Sequence, residues 1–271
     1  MKPYYETELG KLYHGDCLEI MPELEPIDLV LTDPPYGITG CKWDAVIPFE
    51  PMWKQLKRII KKNGAIILTA SQPFTSALIM SNVKMFKYEY IWIKDRPSNF
   101  VIANIQPLKY HENILIFYNK QPVFNKQMQK RPDGPSKRYK NIINNSNRVS
   151  SHFKITDGPK MFDPNYKNPG SILNYSVGCR NHLIHPTQKP IELIKYFVKT
   201  YTNENEIILD FTIGSGTTAA ACECLKRRWI GIEIEEKYCE IAAKRIEENL
   251  TVMERIDRSE KDITKKTGLL F

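Results

Sequence analysis

Ile207-Ile-Leu-Asp-Phe-Thr-Ile-Gly-Ser-Gly-Thr-Thr218 reads as a buried strand, a glycine-rich turn and the start of a helix. Gly214 and Gly216 let the backbone approach a ligand closely, and the helix start offers free N–H groups to an electron-rich partner. The next strand, Trp229 to Ile234, carries Glu233, a carboxylate placed to accept hydrogen bonds from a ribose diol. A glycine pair alone also fits ordinary helix packing. A strand before it and an acid after it point instead to an adenosine-containing ligand. The turn lacks the lysine and spacing of a GxxxxGK[ST] loop, which argues against ATP hydrolysis, and lacks the third glycine of a dinucleotide site.

Outward from this segment the chain alternates strands and helices. Pro190 to Tyr201 is an amphipathic helix with Pro190 in its first turn, and Ile191, Ile194, Phe197, Val198 and Tyr201 recur at helical spacing. A strand over Glu206 to Phe211 and helices over Thr217 to Arg227 and Glu236 to Leu250 complete a βαβ unit. In the N-terminal part, Ile27 to Thr32, Ala65 to Thr69, Glu89 to Ile93 and Asn113 to Tyr118 read as strands, and Phe49 to Lys62 as a helix stopped by Asn63-Gly64. This rhythm predicts an α/β fold with a mostly parallel sheet, helices on both faces and right-handed crossovers.

The first of these strands runs into Asp33-Pro-Pro-Tyr-Gly37. Each proline disfavours the α region for the residue before it, so Asp33 and Pro34 are held extended beyond the strand's carboxyl end, where open α/β sheets bind ligands. The Asp33 carboxylate and the Pro34 carbonyl are two adjacent acceptors beside the Tyr36 ring, a receptor for an exocyclic amine on a planar ring. A capping aspartate before a turn, with a core tyrosine, is the plainer reading of the tetrapeptide alone.

The chain has 271 residues and a net charge of +8, from 39 basic and 31 acidic residues. Residues 119 to 160 hold ten of the basic residues against two acidic ones, so the remaining 29 of each sign cancel. Lys126, Lys130, Arg131, Lys137, Arg138, Lys140 and Arg148 lie in this block, where Asn, Gly, Pro and Ser replace apolar periodicity. Concentrated basic charge in a loop-rich segment suits phosphate neutralisation, with Arg, Asn and Gln reaching base edges. No run of 18 uncharged apolar residues and no N-terminal apolar signal core occur, which predicts a cytoplasmic protein without a membrane span. The six cysteines, Cys41 and Cys179 among them, form no CxxC pair, so reduced thiols and no metal site are expected.

Asp33-Pro-Pro-Tyr36, Asp210-Phe-Thr-Ile-Gly-Ser-Gly216 and His185-Pro-Thr-Gln-Lys-Pro190 together resemble the amino-group DNA methyltransferases that use S-adenosylmethionine. The order, with DPPY ahead of the cofactor loop, resembles their circularly permuted β class. The resemblance spans roughly residues 10 to 250. It implies a Rossmann-like methyltransferase fold with an inserted loop-rich target-recognition segment. The segments expected are a catalytic half over 1–118, target recognition over 119–183, a cofactor half over 184–250 and a tail over 251–271. It places catalysis on Asp33, Pro34, Pro35 and Tyr36, and the methionine-binding loop on Asp210, Phe211, Thr212, Gly214, Ser215, Gly216 and Thr217. Glu233 falls on the ribose position, and Thr187, Gln188 and Lys189 fall near the methionine carboxylate. Asp16 and Cys17, in His14-Gly-Asp-Cys17, match a motif whose acid contacts the cofactor adenine; Asp33 borders the cofactor as well. Thr212 departs from the family's phenylalanine, with Phe211 as a neighbouring aromatic. His111 and Trp43 read as structural.

The activity so implied is methylation of adenine N6 in double-stranded DNA after base flipping. Methylation of cytosine N4 and a DNA-binding role on an inactive methyltransferase fold are the alternatives. Double-stranded DNA, a second copy of the chain and a cognate restriction endonuclease are the partners, in a prokaryotic or phage-infected cell and associated with the nucleoid.

Overall fold

A computed structural model describes residues 1–38, 44–132, 134, 163, 165–177 and 188–267, with side chains to 251. Cys41, Trp43, Lys137, Arg138, Lys140, Arg148, Cys179, His185 and Thr187 lie outside the described residues. In chain order the elements are β1 (Tyr5–Glu6), β2 (Gly10–His14), α1 (Cys17–Ile20), β3 (Ile27–Thr32), α2 (Phe49–Ile59), β4 (Ile60–Ala70), α3 (Phe74–Ser81), β5 (Phe86–Ile93) and β6 (His111–Phe117). They continue with β7 (Gln129–Lys130), β8 (Tyr166–Lys167), β9 (Ile172–Asn174), α4 (Ile191–Tyr201), β10 (Ile207–Asp210), α5 (Thr217–Cys224), β11 (Arg228–Glu233) and α6 (Glu236–Thr267).

The main sheet has the order β1-β2-β11-β10-β3-β4-β6-β5-β9. Strands β2, β11, β10, β3 and β4 are parallel to one another. Successive residues of each strand point to opposite faces. Leu29, Leu31, Ala65, Ile67, Ile114, Ile116 and Ile208 pack under α4, α5 and α6. Val30, Ile66, Leu68, Leu115, Phe117 and Leu209 pack with α1, α2 and α3 on the other side. Coverage of both faces is why these strands read as continuous apolar runs rather than alternating ones.

From β10 the chain proceeds outward to β11, and from β3 it proceeds the opposite way to β4, while β10 and β3 are themselves paired. That makes β10/β3 the switch point of the sheet, with a crevice beyond its carboxyl ends. Asp210 ends one strand there and Asp33 follows the other.

The sheet is mostly parallel as expected, with an antiparallel part, and two helix bounds are corrected. Strands β5 and β6 run antiparallel, and β6 is also antiparallel to β4, so this half of the sheet is mixed. Residues 94–110 between them carry only a short 3-10 turn, and a parallel return requires a longer crossover. The helix expected to stop at Asn63-Gly64 ends at Ile59, and Gly64 lies inside β4. A Cβ on Gly64 would come within 2.7 Å of the Asp28 carbonyl, so the glycine serves close strand approach rather than a helix cap. The helix expected to reach Arg227 ends at Cys224, because Lys226 adopts a left-handed φ of 55° and reverses the chain. Short β2, α1 and α3 carry no strong periodicity and were not expected, and α6 runs on to Thr267.

Gly10 pairs with Trp229, whose buried indole lies across it. A Cβ there would sit 2.2 Å from the ring, so Gly10→Ala should destabilise the protein by about 1–3 kcal/mol, as overpacked cores do. Thermal melting checks this, and an unchanged midpoint would refute it.

The chain divides into two compact units, residues 1–125 with 171–271, and residues 126–170. In the smaller unit β7 and β8 form a two-stranded ribbon, and Arg131 donates its backbone N–H to Asn165 and its Nε to Tyr166. Among the described residues no helix is long and apolar enough to cross a membrane.

Candidate active site

The crevice at the switch point opens into a cleft of about 760 Å³ within the larger unit. The glycine turn forms one wall. Gly214 and Gly216 take φ of 53° and 78°, a region that costs L side chains energy. Gly216 also lies so close to Ala242 of α6 that a Cβ would meet it at 3.0 Å. From α6, Arg245 donates to the Ser215 carbonyl and hydroxyl at 3.1 Å each and to the Thr217 hydroxyl at 2.8 Å. No sequence motif marks this arginine, which pins the turn from behind.

Glu233, at the end of β11, accepts the Gly214 N–H at 2.8 Å and the Glu235 N–H at 3.0 Å, one on each carboxylate oxygen. Burial pushes its carboxyl above the usual range, opposed by these backbone donors. Beside it, Asp16 caps α1 by accepting the Leu18 N–H at 2.8 Å. The Cys17 thiol is turned into the apolar cluster and is pushed by burial up to about 12, so it stays protonated. Both residues border the cleft, as do Gln188 and Phe211, the latter also fully buried in the core.

Asp210 is 5% exposed, accepts the Thr32 hydroxyl at 2.6 Å, and is pushed by burial up to about 6. Hydrogen bonds from Thr218, Thr32 and the Thr212 N–H oppose that rise, and the nearby Asp33 charge adds to it. A carboxyl whose folded value is raised gives stability below its unfolded value, and that stability is lost as pH rises through the folded value. Asp210→Asn should therefore melt above the unliganded wild type beyond pH 6, by at most about 3 kcal/mol, with the gap closing near pH 4. A gap independent of pH would refute the assignment.

The other wall is the turn after β3. The Tyr36 hydroxyl donates to Asp33 Oδ1 at 2.6 Å, and the Thr69 hydroxyl also bonds Oδ1. Lys189 Nζ lies 2.6 Å from Asp33 Oδ2. The turn's backbone is organised by buried Asp44, which accepts the N–H groups of Tyr36, Gly37 and Ile38 at 2.8, 3.0 and 3.0 Å. The Tyr36 ring stacks on Phe74, with centroids 5.2 Å apart. Its phenol is held well above the usual range by burial and the Asp33 charge.

Thr212 joins the two walls. Its hydroxyl contacts that of Thr32 at 2.7 Å and donates to the Asp33 carbonyl at 3.1 Å. The departure from phenylalanine thus gives a polar clasp between the two motifs. Lys189, expected near a methionine carboxylate, borders the cleft and stands between Asp33 and Glu112. Tyr36, expected beside the planar ring of a substrate, is held by Asp33, Thr69 and Phe74. Lys94, Glu112, Asp44 and Arg245 are site residues that sequence reasoning missed.

A family model described as DNA methylase, covering the N6 and N4 methyltransferases, matches residues 27–244. The chain belongs to the N6/N4 DNA methylase family. Its relatives include type II methyltransferase M.BglII of Bacillus subtilis, 30% identical over 262 residues that cover 88% of this chain and 69% of that protein. Another is type II methyltransferase M2.LlaDCHI of Lactococcus lactis subsp. cremoris, 27% identical over 92% of this chain and 94% of that one. The crystal structure of the M1.HpyAVI–SAM complex superimposes with a TM-score of 0.60 at 25% identity, covering 88% of this chain and 99% of the other. The cytosine-N4-specific PvuII DNA methyltransferase shares the fold, with a TM-score of 0.64 at 17% identity over 94% and 95% of the two chains. This N6/N4 methylase therefore has the S-adenosylmethionine-dependent methyltransferase fold, and its activity class is DNA methylation.

Proposed function

We propose that the protein transfers a methyl group from S-adenosylmethionine to N6 of adenine in double-stranded DNA. The observation that carries this is the clasp at Thr212, which holds the glycine turn against the Asp33 carbonyl at 3.1 Å and so brings a cofactor wall and an amine-accepting wall into one cleft.

The donor set fits the cofactor. Gly214 exposes backbone to the cleft, Glu233 keeps acceptor capacity beyond its backbone donors for a diol, and Asp16 and Asp210 are acceptors along the same wall. Bound S-adenosylmethionine supplies an electrophilic sulfonium methyl group, so no covalent enzyme intermediate is needed. The chain's task is the nucleophile, because the lone pair of an aromatic amine is delocalised into its ring. Asp33 Oδ1 accepts from Tyr36 and Thr69, and Oδ2 accepts from Lys189. A carboxylate has about four lone-pair sites, which leaves one for an amine N–H, with the Pro34 carbonyl for the second. Accepting both hydrogens favours a pyramidal nitrogen whose lone pair faces the methyl group, and fixed acceptors supply the rate by positioning. The target base has to leave the duplex first, since its amine is otherwise paired.

Asp33 supports adenine, since family members acting on cytosine usually carry serine there. Lys126, Lys130 and Arg131 lie in the smaller unit and, with the rest of the basic block, suit contact with DNA phosphates. The type II designation of M.BglII and M2.LlaDCHI supports a cognate restriction endonuclease as partner; a homodimer rests on the family resemblance. The test is methylation mapping and nucleoside analysis of DNA incubated with the protein and cofactor. N6-methyladenine at one short sequence is expected. N4-methylcytosine would move the assignment to cytosine, and cofactor binding without methylation would indicate an inactive fold.

A further inference from the structure

Four alternating charges run inward from the catalytic turn. Asp33 Oδ2 lies 2.6 Å from Lys189 Nζ, which lies 3.3 Å from Glu112 Oε2, whose Oε1 lies 2.8 Å from Lys94 Nζ. The side chains of Lys94, Lys189 and Glu112 are only 5%, 9% and 14% exposed. Burying ions costs more than their pairing returns unless geometry is excellent, so such a chain is weak evidence for a stabilising device. Its placement is informative. Glu112 lies at the start of β6, whose antiparallel course returns it to the sheet edge where β3, β4 and β5 end.

We propose that Glu112 is a positioning residue of the methyl-transfer site, acting on Asp33 through Lys189. This rests on the function proposed above and names a residue outside the three motifs quoted from the sequence. Lys189 bonds the carboxylate oxygen that keeps the free lone pair, so where its ammonium sits decides where that lone pair points. Glu112 Oε2 is buried 3.3 Å from that ammonium and tethers it by charge. Lys94 occupies the opposite oxygen, leaving Oε2 to Lys189; Lys109, bonded to Ser71, is a further cation facing Glu112 among the described residues. Burial favours a neutral Glu112, yet Lys189 and Lys94 hold its carboxyl below the usual range, so the tether stays charged at neutral pH.

The test is single-turnover methyl transfer by the full chain with saturating DNA and S-adenosylmethionine. A misplaced reacting group costs up to about a hundredfold, so E112Q should slow the step about 10- to 100-fold and K189M at least as much. The double variant should be no slower than K189M, within about twofold, because Glu112 has no route to Asp33 once Lys189 is gone. Cofactor affinity should stay within about threefold in each, and K189R should recover part of the rate that K189M loses. Multiplying losses in the double variant, a wild-type rate for E112Q, or a loss confined to cofactor affinity would each overturn the inference. If E112Q does not fold, K94M/E112M replaces the pair by apolar chains of similar length, and a wild-type rate there is equally fatal. A wild-type chain that binds cofactor yet methylates no DNA refutes the proposed activity itself, a separate result.

Discussion

Asp33→Ala is expected to lower methyl transfer at least about a thousandfold while cofactor affinity stays within a few-fold of wild type, the scale of removing a preorganised electrostatic group. The two effects separate because different atoms of Asp33 serve them. Its carboxylate gathers Tyr36, Thr69 and Lys189, and presents the one acceptor site they leave. Its backbone carbonyl receives the Thr212 hydroxyl, which holds the turn to the glycine loop. Alanine removes the first and keeps the second. Lys189 and Glu112 remain as a pair, so no buried ammonium is stranded. Incorporation of tritiated methyl groups into DNA, beside calorimetric titration of S-adenosylmethionine, checks both halves. Turnover within tenfold of wild type would remove Asp33 from the reaction, and a matching collapse of cofactor affinity would make it a structural residue of the cofactor wall.

The same contacts give Tyr36 a duty beyond offering a ring. Its hydroxyl fixes Asp33 Oδ1 and reaches Thr69, while Phe74 backs the ring. Asp44 then gathers three consecutive N–H groups beyond it, so the turn's shape does not depend on the prolines alone.

What was legible in the sequence was local. Strands β3 and β10, their apolar runs and the motifs after them are contiguous, and glycine, proline and aspartate state their backbone demands within a few residues. The meeting of those motifs followed from the open-sheet rule, which puts both at carboxyl strand ends. Contacts across the chain were not legible. Lys189 and Asp33 are 156 residues apart, and only the packed fold sets that ammonium against this carboxylate. Glu112 follows His111 in an ordinary strand, and its importance comes from β6 being antiparallel, which apolar pattern does not encode. Arg245 sits on a charged helix among other lysines and arginines, where only the Ser215 and Thr217 contacts distinguish it. Gly64 was misread for a related reason: strand crowding against Asp28 and a helix stop ask for the same residue.

Glu233→Gln should weaken S-adenosylmethionine binding about as much as Glu233→Ala, by roughly 10- to 100-fold, the range for losing one or two hydrogen bonds to a charged group. An amide usually passes as a mild replacement for a carboxylate. Here both oxygens already accept backbone N–H groups, Gly214 on one and Glu235 on the other. A glutamine amide has a single oxygen, so its NH₂ must face one of those donors, and a buried donor facing a donor costs about as much as the missing bond. Turning the amide over only changes which donor is opposed. If the opposed donor is Gly214, the cofactor turn loses its link to β11; if Glu235, the start of α6 shifts. Since Glu233 is 8% exposed, water does not readily repair either loss. Rate measurements separate this effect from that of Asp33. Glu233 variants should regain most of their turnover at saturating cofactor, whereas Asp33→Ala should not. A Glu233→Gln protein that binds S-adenosylmethionine within about threefold of wild type would show that neither backbone bond shapes the cofactor wall, and would detach Glu233 from the ribose position.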